Sequence, residues 1–129
     1  MACLDTSFLI DLLAGADEAT TVLEGFERTS TAHAVCPVSA AEVYVGAHRG
    51  SVTEYHQAQE LLESLRWLPF DRAVARRAGR LQSELYDAGT PIAFTDCMIA
   101  ATAIEHGEVL VTADSDFARI GELRTIEYY

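Results

Sequence analysis

Short apolar runs alternate along the chain with longer segments in which apolar residues recur every three or four positions. The apolar runs predict strands at residues 2–5, 34–38, 67–70 and 109–111, and a final strand around Ile126. The amphipathic segments predict helices over residues 6–14, 17–28, 39–48, 53–65, 71–87 and the second half of 91–104. Strands that alternate with helices predict an open α/β fold with a mostly parallel sheet.

Acidic residues lie at or just beyond the ends of the predicted strands, each within apolar sequence. The residues that share this placement are Asp5, Glu42, Asp96, Asp114 and Asp116. In an open α/β sheet, ligands bind outside the carboxyl ends of the strands. We therefore expect these carboxylates to converge on one edge of the sheet.

Each acid also has a purely structural explanation, which is helix capping. The sequence allows caps at Asp5 or Thr6, at Asp96 and at Asp116, and a capping box between Ser39 and Glu42. Taken together, capping explains less well why so many strand-to-helix junctions carry an acid in an apolar setting. Four or five carboxylates in one place repel one another unless a cation neutralises them.

The cation that suits an oxygen-only cluster is magnesium or manganese (Mg²⁺ or Mn²⁺). Two such ions, ~3.5–4 Å apart, can activate a water and stabilise the leaving oxygen in phosphodiester cleavage. The acidic positions therefore predict a metal-dependent nuclease.

The composition narrows the possible chemistry further. The 129 residues predict one domain, residues 1–129, without repeats or linkers. Twenty Asp and Glu residues face nine basic residues, which gives a net charge of −11. All nine are Arg, so the absence of Lys excludes a Walker-A lysine, Schiff-base chemistry and a lysine general base, and counts against a phosphoacceptor receiver domain.

The strong acidity has two explanations. Either the partners of the protein are cationic, or its surface is halophilic in composition, adapted to a saline cytoplasm in which a large net charge maintains solubility. We favour the second explanation. The candidate basic surface consists of Arg72, Arg76, Arg77 and Arg80. These arginines form either a solvated face paired with nearby acids such as Glu84, or a contact for RNA or a protein partner.

The cysteines and the apolar runs indicate the cellular compartment in which we expect the protein. Cys3, Cys36 and Cys97 are far apart and show no metal-ligand spacing, so we expect free buried thiols in a reducing cytoplasm. The N-terminus lacks the features of a signal peptide, and no apolar run approaches the ~20 residues of a membrane helix. We therefore expect a cytoplasmic protein without a membrane partner.

Four stretches of the chain resemble the PIN domain family, and more closely its VapC-type toxins. They are residues 4–11, 39–43, 95–103 and 110–117. The resemblance runs almost end to end, with matching order and spacing. It implies a three-layer α/β/α fold, Mg²⁺- or Mn²⁺-dependent endoribonuclease activity on RNA, a homodimer, and inhibition by a cognate antitoxin protein.

The resemblance also assigns site residues. It places Asp5, Glu42 and Asp96 in the active site, and it leaves the fourth acid between Asp114 and Asp116. We favour Asp116 as the fourth acid, with Asp114 as a further metal-shell carboxylate. Two small hydroxyl positions that would orient ligands or water match Ser7 and Thr112.

Two other functions remain open at this point. One is a housekeeping PIN nuclease that processes RNA without an antitoxin. The other is a catalytically silent PIN-fold binding module, against which the intact set of acids argues.

Overall fold

The computed structural model describes residues 1–128, which contain one five-stranded sheet. Its strands are β1 (Ala2–Leu4), β2 (His33–Val35), β3 (Arg66–Trp67), β4 (Val109–Thr112) and β5 (Thr125–Glu127). All neighbouring strands pair in parallel, in the order β3-β2-β1-β4-β5. The predicted α/β fold with a parallel sheet is confirmed.

Helices connect the strands. They are α1 (Thr6–Leu13), α2 (Asp17–Arg28), α3 (Pro37–His48), α4 (Val52–Glu63), α5 (Arg72–Asp87) and α6 (Phe94–Glu105), with a 3₁₀ helix at Ser115–Arg119. Within residues 1–128, none of these helices combines the length and the apolar character that a bilayer crossing requires.

The side chains of β1 alternate between two hydrophobic cores, one on each face of the sheet. Cys3 joins a core built with α5 and α6, whereas Ala2 and Leu4 join a second core built with α1, α2, α3 and α4. This alternation follows from the two-residue period of a strand. Helices cover both faces, which explains why the strands are apolar throughout and gives the three-layer α/β/α arrangement.

Two predicted strands are longer than those in the structure. The strand expected over residues 34–38 ends at Val35, because Pro37 already begins α3. Proline has no N–H to donate to a ladder, and its fixed φ suits the first turn of a helix. The strand expected over residues 67–70 is reduced to Arg66–Trp67.

The start of α3 also differs from the sequence-based expectation. Cys36 is the N-cap, and its sulfur accepts a hydrogen bond from the Ser39 N–H at 3.5 Å. A capping box between Ser39 and Glu42 is therefore wrong. The capping box occurs instead at the start of α4, between Ser51 and Glu54. The Glu42 side chain is thereby left for another role.

Candidate active site

The order of the strands creates a crevice at the carboxyl edge of the sheet. The chain moves from β1 to β2 on one side, whereas β4 pairs with β1 on the other. Such a switch point is where open α/β sheets bind ligands. Asp5 directly follows β1, Thr112 ends β4, and Asp96 lies in the first turn of α6, which leads into β4.

Three carboxylates come together at this edge. Asp96, Asp114 and Asp116 each offer an oxygen, and these oxygens all lie within 4.8 Å of one another. The three side chains are neither fully buried nor fully exposed. A set of carboxylate oxygens with this spacing suits a hard divalent cation such as Mg²⁺ or Mn²⁺.

The structure does not show the side-chain caps that the sequence allowed at Asp5, Asp96 and Asp116. Asp5 occupies the N-cap position of α1 but makes no side-chain capping bond, and Asp96 lies inside α6, whose N-cap is Ala93. The cap of the 3₁₀ helix is Asp114, which accepts a hydrogen bond from the Asp116 N–H at 2.9 Å. A capping role for Asp116 is therefore wrong.

Asp5 is the most deeply buried acid of the site, at 3% exposure. Its Oδ2 accepts hydrogen bonds from Thr112 Oγ1 at 2.7 Å and from Ser7 Oγ at 2.9 Å. Its Oδ1 is also buried, and has no hydrogen-bond partner among residues 1–128. A buried carboxylate oxygen without a partner is costly, and a cation would supply the missing interaction. This donor set therefore fits a divalent metal.

The same two hydroxyls hold the segment after β4. Ser7 Oγ accepts a hydrogen bond from the Ala113 N–H at 3.1 Å, and Thr112 Oγ1 accepts one from the Asp114 N–H at 2.9 Å. Each hydroxyl thus donates to Asp5 while it accepts from the backbone. The position of Asp114 is consequently tied to that of Asp5.

Glu42 approaches the site from α3. Thr6 Oγ1 donates a hydrogen bond to Glu42 Oε1 at 2.8 Å, which joins the start of α1 to α3. Sequence reasoning considered Thr6 only as a possible helix cap and did not pair it with Glu42. No local pattern could identify this pair, because the two residues are 36 positions apart.

The electrostatics connect all five acids. Burial, followed by the charges of four other carboxylates, raises the pKa of Asp96 to about 7. In order of effect, those carboxylates belong to Asp5, Asp114, Glu42 and Asp116. Burial also raises the pKa of Asp5, against the lowering effect of its hydrogen bonds from Thr112 and Ser7.

A buried glutamine fixes the segment that leads to Asp96. Gln82 Nε2 donates to the Ile92 carbonyl at 2.5 Å, and its Oε1 accepts from the Ile92 N–H at 3.4 Å. The same oxygen accepts from Cys97 Sγ at 3.4 Å. The side-chain amide of Gln82 therefore pairs with the backbone of the α5–α6 connection. The sequence analysis did not single it out.

Comparison with known proteins assigns the chain to a family. A family model described as PIN domain matches residues 2–123. The chain belongs to the PIN domain family.

Curated relatives of this PIN domain are named as ribonucleases or endonucleases of the VapC type. It is 31% identical to Ribonuclease VapC5 of Mycobacterium tuberculosis, over 96% of this chain and 90% of the relative. It is 28% identical to the tRNA(fMet)-specific endonuclease VapC of Shigella flexneri, over 97% of this chain and 96% of the relative.

Solved structures of VapBC complexes share the fold. VapBC from Salmonella typhimurium bound to DNA superposes with a TM-score of 0.88 at 26% identity, over 98% of this chain and 96% of that chain. VapBC2 from Rickettsia felis, bound to a promoter DNA fragment, gives a TM-score of 0.89 at 23% identity, over 99% and 98%. At that lower identity the likeness concerns the fold alone.

Two of the four arginines of α5 in this PIN domain, Arg77 and Arg80, form ion pairs. Arg77 Nε lies 2.6 Å from Glu105 Oε1, and Arg77 Nη1 lies 2.7 Å from Glu122 Oε2. Arg80 lies 3.2 Å from Glu122 and 3.6 Å from Glu84. These pairs match the explanation of a solvated face with nearby acids.

An apolar groove of about 310 Å³ runs beside the acidic edge of the PIN domain, between α1, α3 and α4. Its apolar lining includes Ile10, Leu13 and Val43, and Ile10 is 51% exposed. Glu42 lines the same groove. The groove therefore places an apolar surface and a site carboxylate side by side.

The end of β5 is joined to α1. Tyr128 Oη donates a hydrogen bond to Asp11 Oδ2 at 2.8 Å, and its ring packs edge-on against Phe8 with 5.2 Å between centroids. Burial and the Asp11 carboxylate raise the pKa of the Tyr128 phenol. The phenol therefore stays protonated and keeps its donor role around neutral pH.

Proposed function

We propose that this PIN domain is a metal-dependent endoribonuclease and the toxin of a toxin–antitoxin pair, working as a single domain in the cytoplasm. The observation that carries the proposal is the buried, partnerless Oδ1 of Asp5, whose carboxylate charge acts on Asp96 in the cluster of Asp96, Asp114 and Asp116. The ribonuclease names of the VapC relatives, which align over nearly the whole chain, support the choice of RNA as the substrate.

Asp5, Asp96, Asp116 and Asp114 would hold Mg²⁺ or Mn²⁺. When bound, the cation would help to activate a water and stabilise the charge on the leaving oxygen. Asp5 contributes Oδ1, because Oδ2 already accepts two hydroxyl bonds. Asp116 remains our preferred fourth acid, since Asp114 Oδ1 is engaged as a helix cap.

We assign Glu42 as the base that accepts the proton of the attacking water. Thr6 holds Glu42 Oε1, which leaves Oε2 to accept that proton. Attack of the water on phosphorus breaks the bond to the leaving ribose oxygen. Ser7 and Thr112 position Asp5 for this reaction and do not touch the substrate themselves.

The test is cleavage of a mixed RNA pool by the purified protein with Mg²⁺, with Mn²⁺ and with EDTA. We expect metal-dependent cleavage that disappears in Asp5→Asn. The matched control is Asp87→Asn, which removes one exposed carboxylate outside the acidic edge. No cleavage with either metal, together with no metal binding by calorimetry, would favour the silent binding module instead.

The antitoxin is assigned to the apolar groove beside Glu42. A segment with apolar residues and one arginine would fit there, because the groove is apolar and ends at a carboxylate. The VapBC and toxin–antitoxin complexes among the structural relatives support a protein partner. The resemblance to VapC toxins also supports a homodimer, which light scattering of the purified protein tests.

Two exposed apolar residues give a matched test of the groove. Ile10→Glu places a charge in the groove, whereas Val52→Glu places the same charge at a site 74% exposed at the start of α4. We expect Ile10→Glu to weaken binding of the adjacent gene's product and leave cleavage intact. A housekeeping nuclease would instead have no such neighbour, and its overexpression would not arrest growth.

A further inference from the structure

One arginine lies against the acidic edge itself. Arg119 ends the 3₁₀ helix that carries Asp116, and its Nη2 lies 3.4 Å from Asp116 Oδ1. Its Nη1 donates to the Pro91 carbonyl at 3.4 Å. Arg119 thus bridges the 3₁₀ helix and the segment that precedes α6.

The contacts of Arg119 are longer than the ion pairs of Arg77 on α5. Both are 3.4 Å long, and the side chain is 45% exposed. The ion pairs of Arg77, by contrast, are 2.6 and 2.7 Å long, and one of them reaches Glu105 at the far end of α6 from Asp96. Among residues 1–128, Arg119 is the arginine in contact with a member of the acidic cluster.

We propose that Arg119 binds a phosphate of the RNA next to the scissile bond, an inference that rests on the ribonuclease activity proposed above. Asp116 is one of the residues that would hold the cation, and its carboxylate would then be shared less with the guanidinium, which would leave Nη2 free for another acceptor. The Pro91 carbonyl keeps the guanidinium at the edge of the site through Nη1. A planar guanidinium can donate two parallel hydrogen bonds to a phosphate.

The charge of the whole chain makes this role important. An RNA strand must approach five carboxylates on a protein with net charge −11 and no lysine. Phosphate contacts dominate the affinity of most nucleic-acid complexes. A single available arginine at the edge would therefore account for a large part of the RNA affinity.

The experiment measures RNA binding without cleavage. Fluorescence anisotropy follows a labelled single-stranded RNA on Glu42→Gln protein with Mn²⁺, a background that lacks the proposed proton acceptor but keeps the proposed metal ligands. The RNA is measured with this protein alone and combined with Arg119→Gln, Arg119→Lys or Arg124→Gln. Arg124 is the matched control, because it donates to one backbone carbonyl, that of Gly107. Both residues lie at the amino-terminal ends of β4 and β5, on the side of the sheet opposite the acidic edge. The same Arg119 variants, made with Glu42 intact, are assayed for KM and kcat.

We expect Arg119→Gln to weaken RNA binding about tenfold, equally for RNAs of different sequence. The slope of log affinity against log salt should fall by about 0.7, the value for one phosphate contact on a single strand. In cleavage, KM should rise while kcat changes little. Arg119→Lys should keep the salt slope and recover part of the affinity.

The proposal is overturned if Arg119→Gln matches Arg124→Gln in affinity and salt slope while the parent protein with Glu42 intact still cleaves RNA. It is also overturned if both Arg119 variants lower the melting temperature and Mn²⁺ affinity together, since this is the behaviour of a structural residue. Failure of the parent protein to cut RNA with either metal is a different result, because it contradicts the proposed ribonuclease itself.

Discussion

The two oxygens of the Asp5 carboxylate have different surroundings. Oδ2 accepts hydrogen bonds from two hydroxyls, whereas Oδ1 is buried without a partner among residues 1–128. The hydroxyls fix the orientation of the carboxylate and so aim Oδ1 in one direction. The energetic cost of the bare oxygen is the reason why this residue suits a cation site.

Removal of the Thr112 hydroxyl tests this division of roles. Thr112→Val keeps the shape of the buried side chain but removes the donor to Asp5 and the acceptor for the Asp114 N–H. We expect the free energy of unfolding to fall by about 1–3 kcal/mol, and Mn²⁺ binding to weaken. Calorimetry and chemical denaturation measure the two effects.

A control and a rescue accompany this variant. Thr102→Val removes a buried hydroxyl that donates to the Met98 carbonyl of its own helix and makes no hydrogen bond to Asp5, so Mn²⁺ affinity should not change. Thr112→Ser should restore most of the metal affinity. If Thr112→Val binds Mn²⁺ like the parent, the hydroxyl does not orient Asp5.

Asp96 gives the metal-free protein a definite pH dependence. Its pKa is raised from 3.8 to about 7, so the folded state binds more protons than the unfolded chain between these values. Stability in EDTA should therefore fall as the pH rises through this window. Asp96→Asn should melt higher than the parent above pH 7 and show a smaller change between pH 5 and 8.

Thermal melting in EDTA at several pH values measures this effect, with Asp87→Asn as the control for loss of one exposed acid. The control should keep the pH dependence of the parent. If Asp96→Asn melts several degrees lower than the parent instead, the carboxylate stabilises the fold and does not belong to a repulsive cluster.

At the scale of elements, the α5–α6 connection depends on one side chain. Gln82→Leu would leave the N–H and carbonyl of Ile92 buried without their partner. We expect a loss of about 1–3 kcal/mol in the free energy of unfolding and weaker Mn²⁺ binding, because α6 carries Asp96. Denaturant unfolding and calorimetry measure both quantities.

Gln57→Leu is the matched control, because Gln57 is exposed on α4 and no such backbone contact would be lost. It should leave stability and Mn²⁺ affinity close to those of the parent. A Gln82→Leu protein with reduced stability but unchanged Mn²⁺ affinity would show that the connection supports the fold without positioning Asp96.

The elements also show what the sequence could and could not predict. Apolar periodicity predicted the order of strands and helices, and the parallel-sheet rule predicted that Asp96, Asp114 and Asp116 would meet. The bounds failed where one residue decided them, as Pro37 ended β2 early. The supporting contacts were missed because they join distant positions, such as Thr112 and Asp5, 107 residues apart.

At the scale of the whole molecule, the distribution of charge is uneven. The acidic edge collects five carboxylates, whereas Arg77 of α5 pairs with Glu105 at the other end of α6 and shares Glu122 with Arg80. The remaining excess of acids gives the net charge of −11. Self-repulsion of this size opposes folding, and it is screened by salt.

Monovalent and divalent salts should therefore stabilise the protein in different ways. KCl between 0.1 and 1 M shortens the Debye length from ~10 to ~3 Å, so it should raise the melting temperature of the parent and of Asp5→Asn alike. Mg²⁺ at equal ionic strength should add a further rise in the parent alone, because binding to the folded state stabilises it. If KCl lowers both melting temperatures, the ion pairs of Arg77 and Arg80 outweigh the repulsion. The acidic surface would then be better explained by a cationic partner than by a saline cytoplasm.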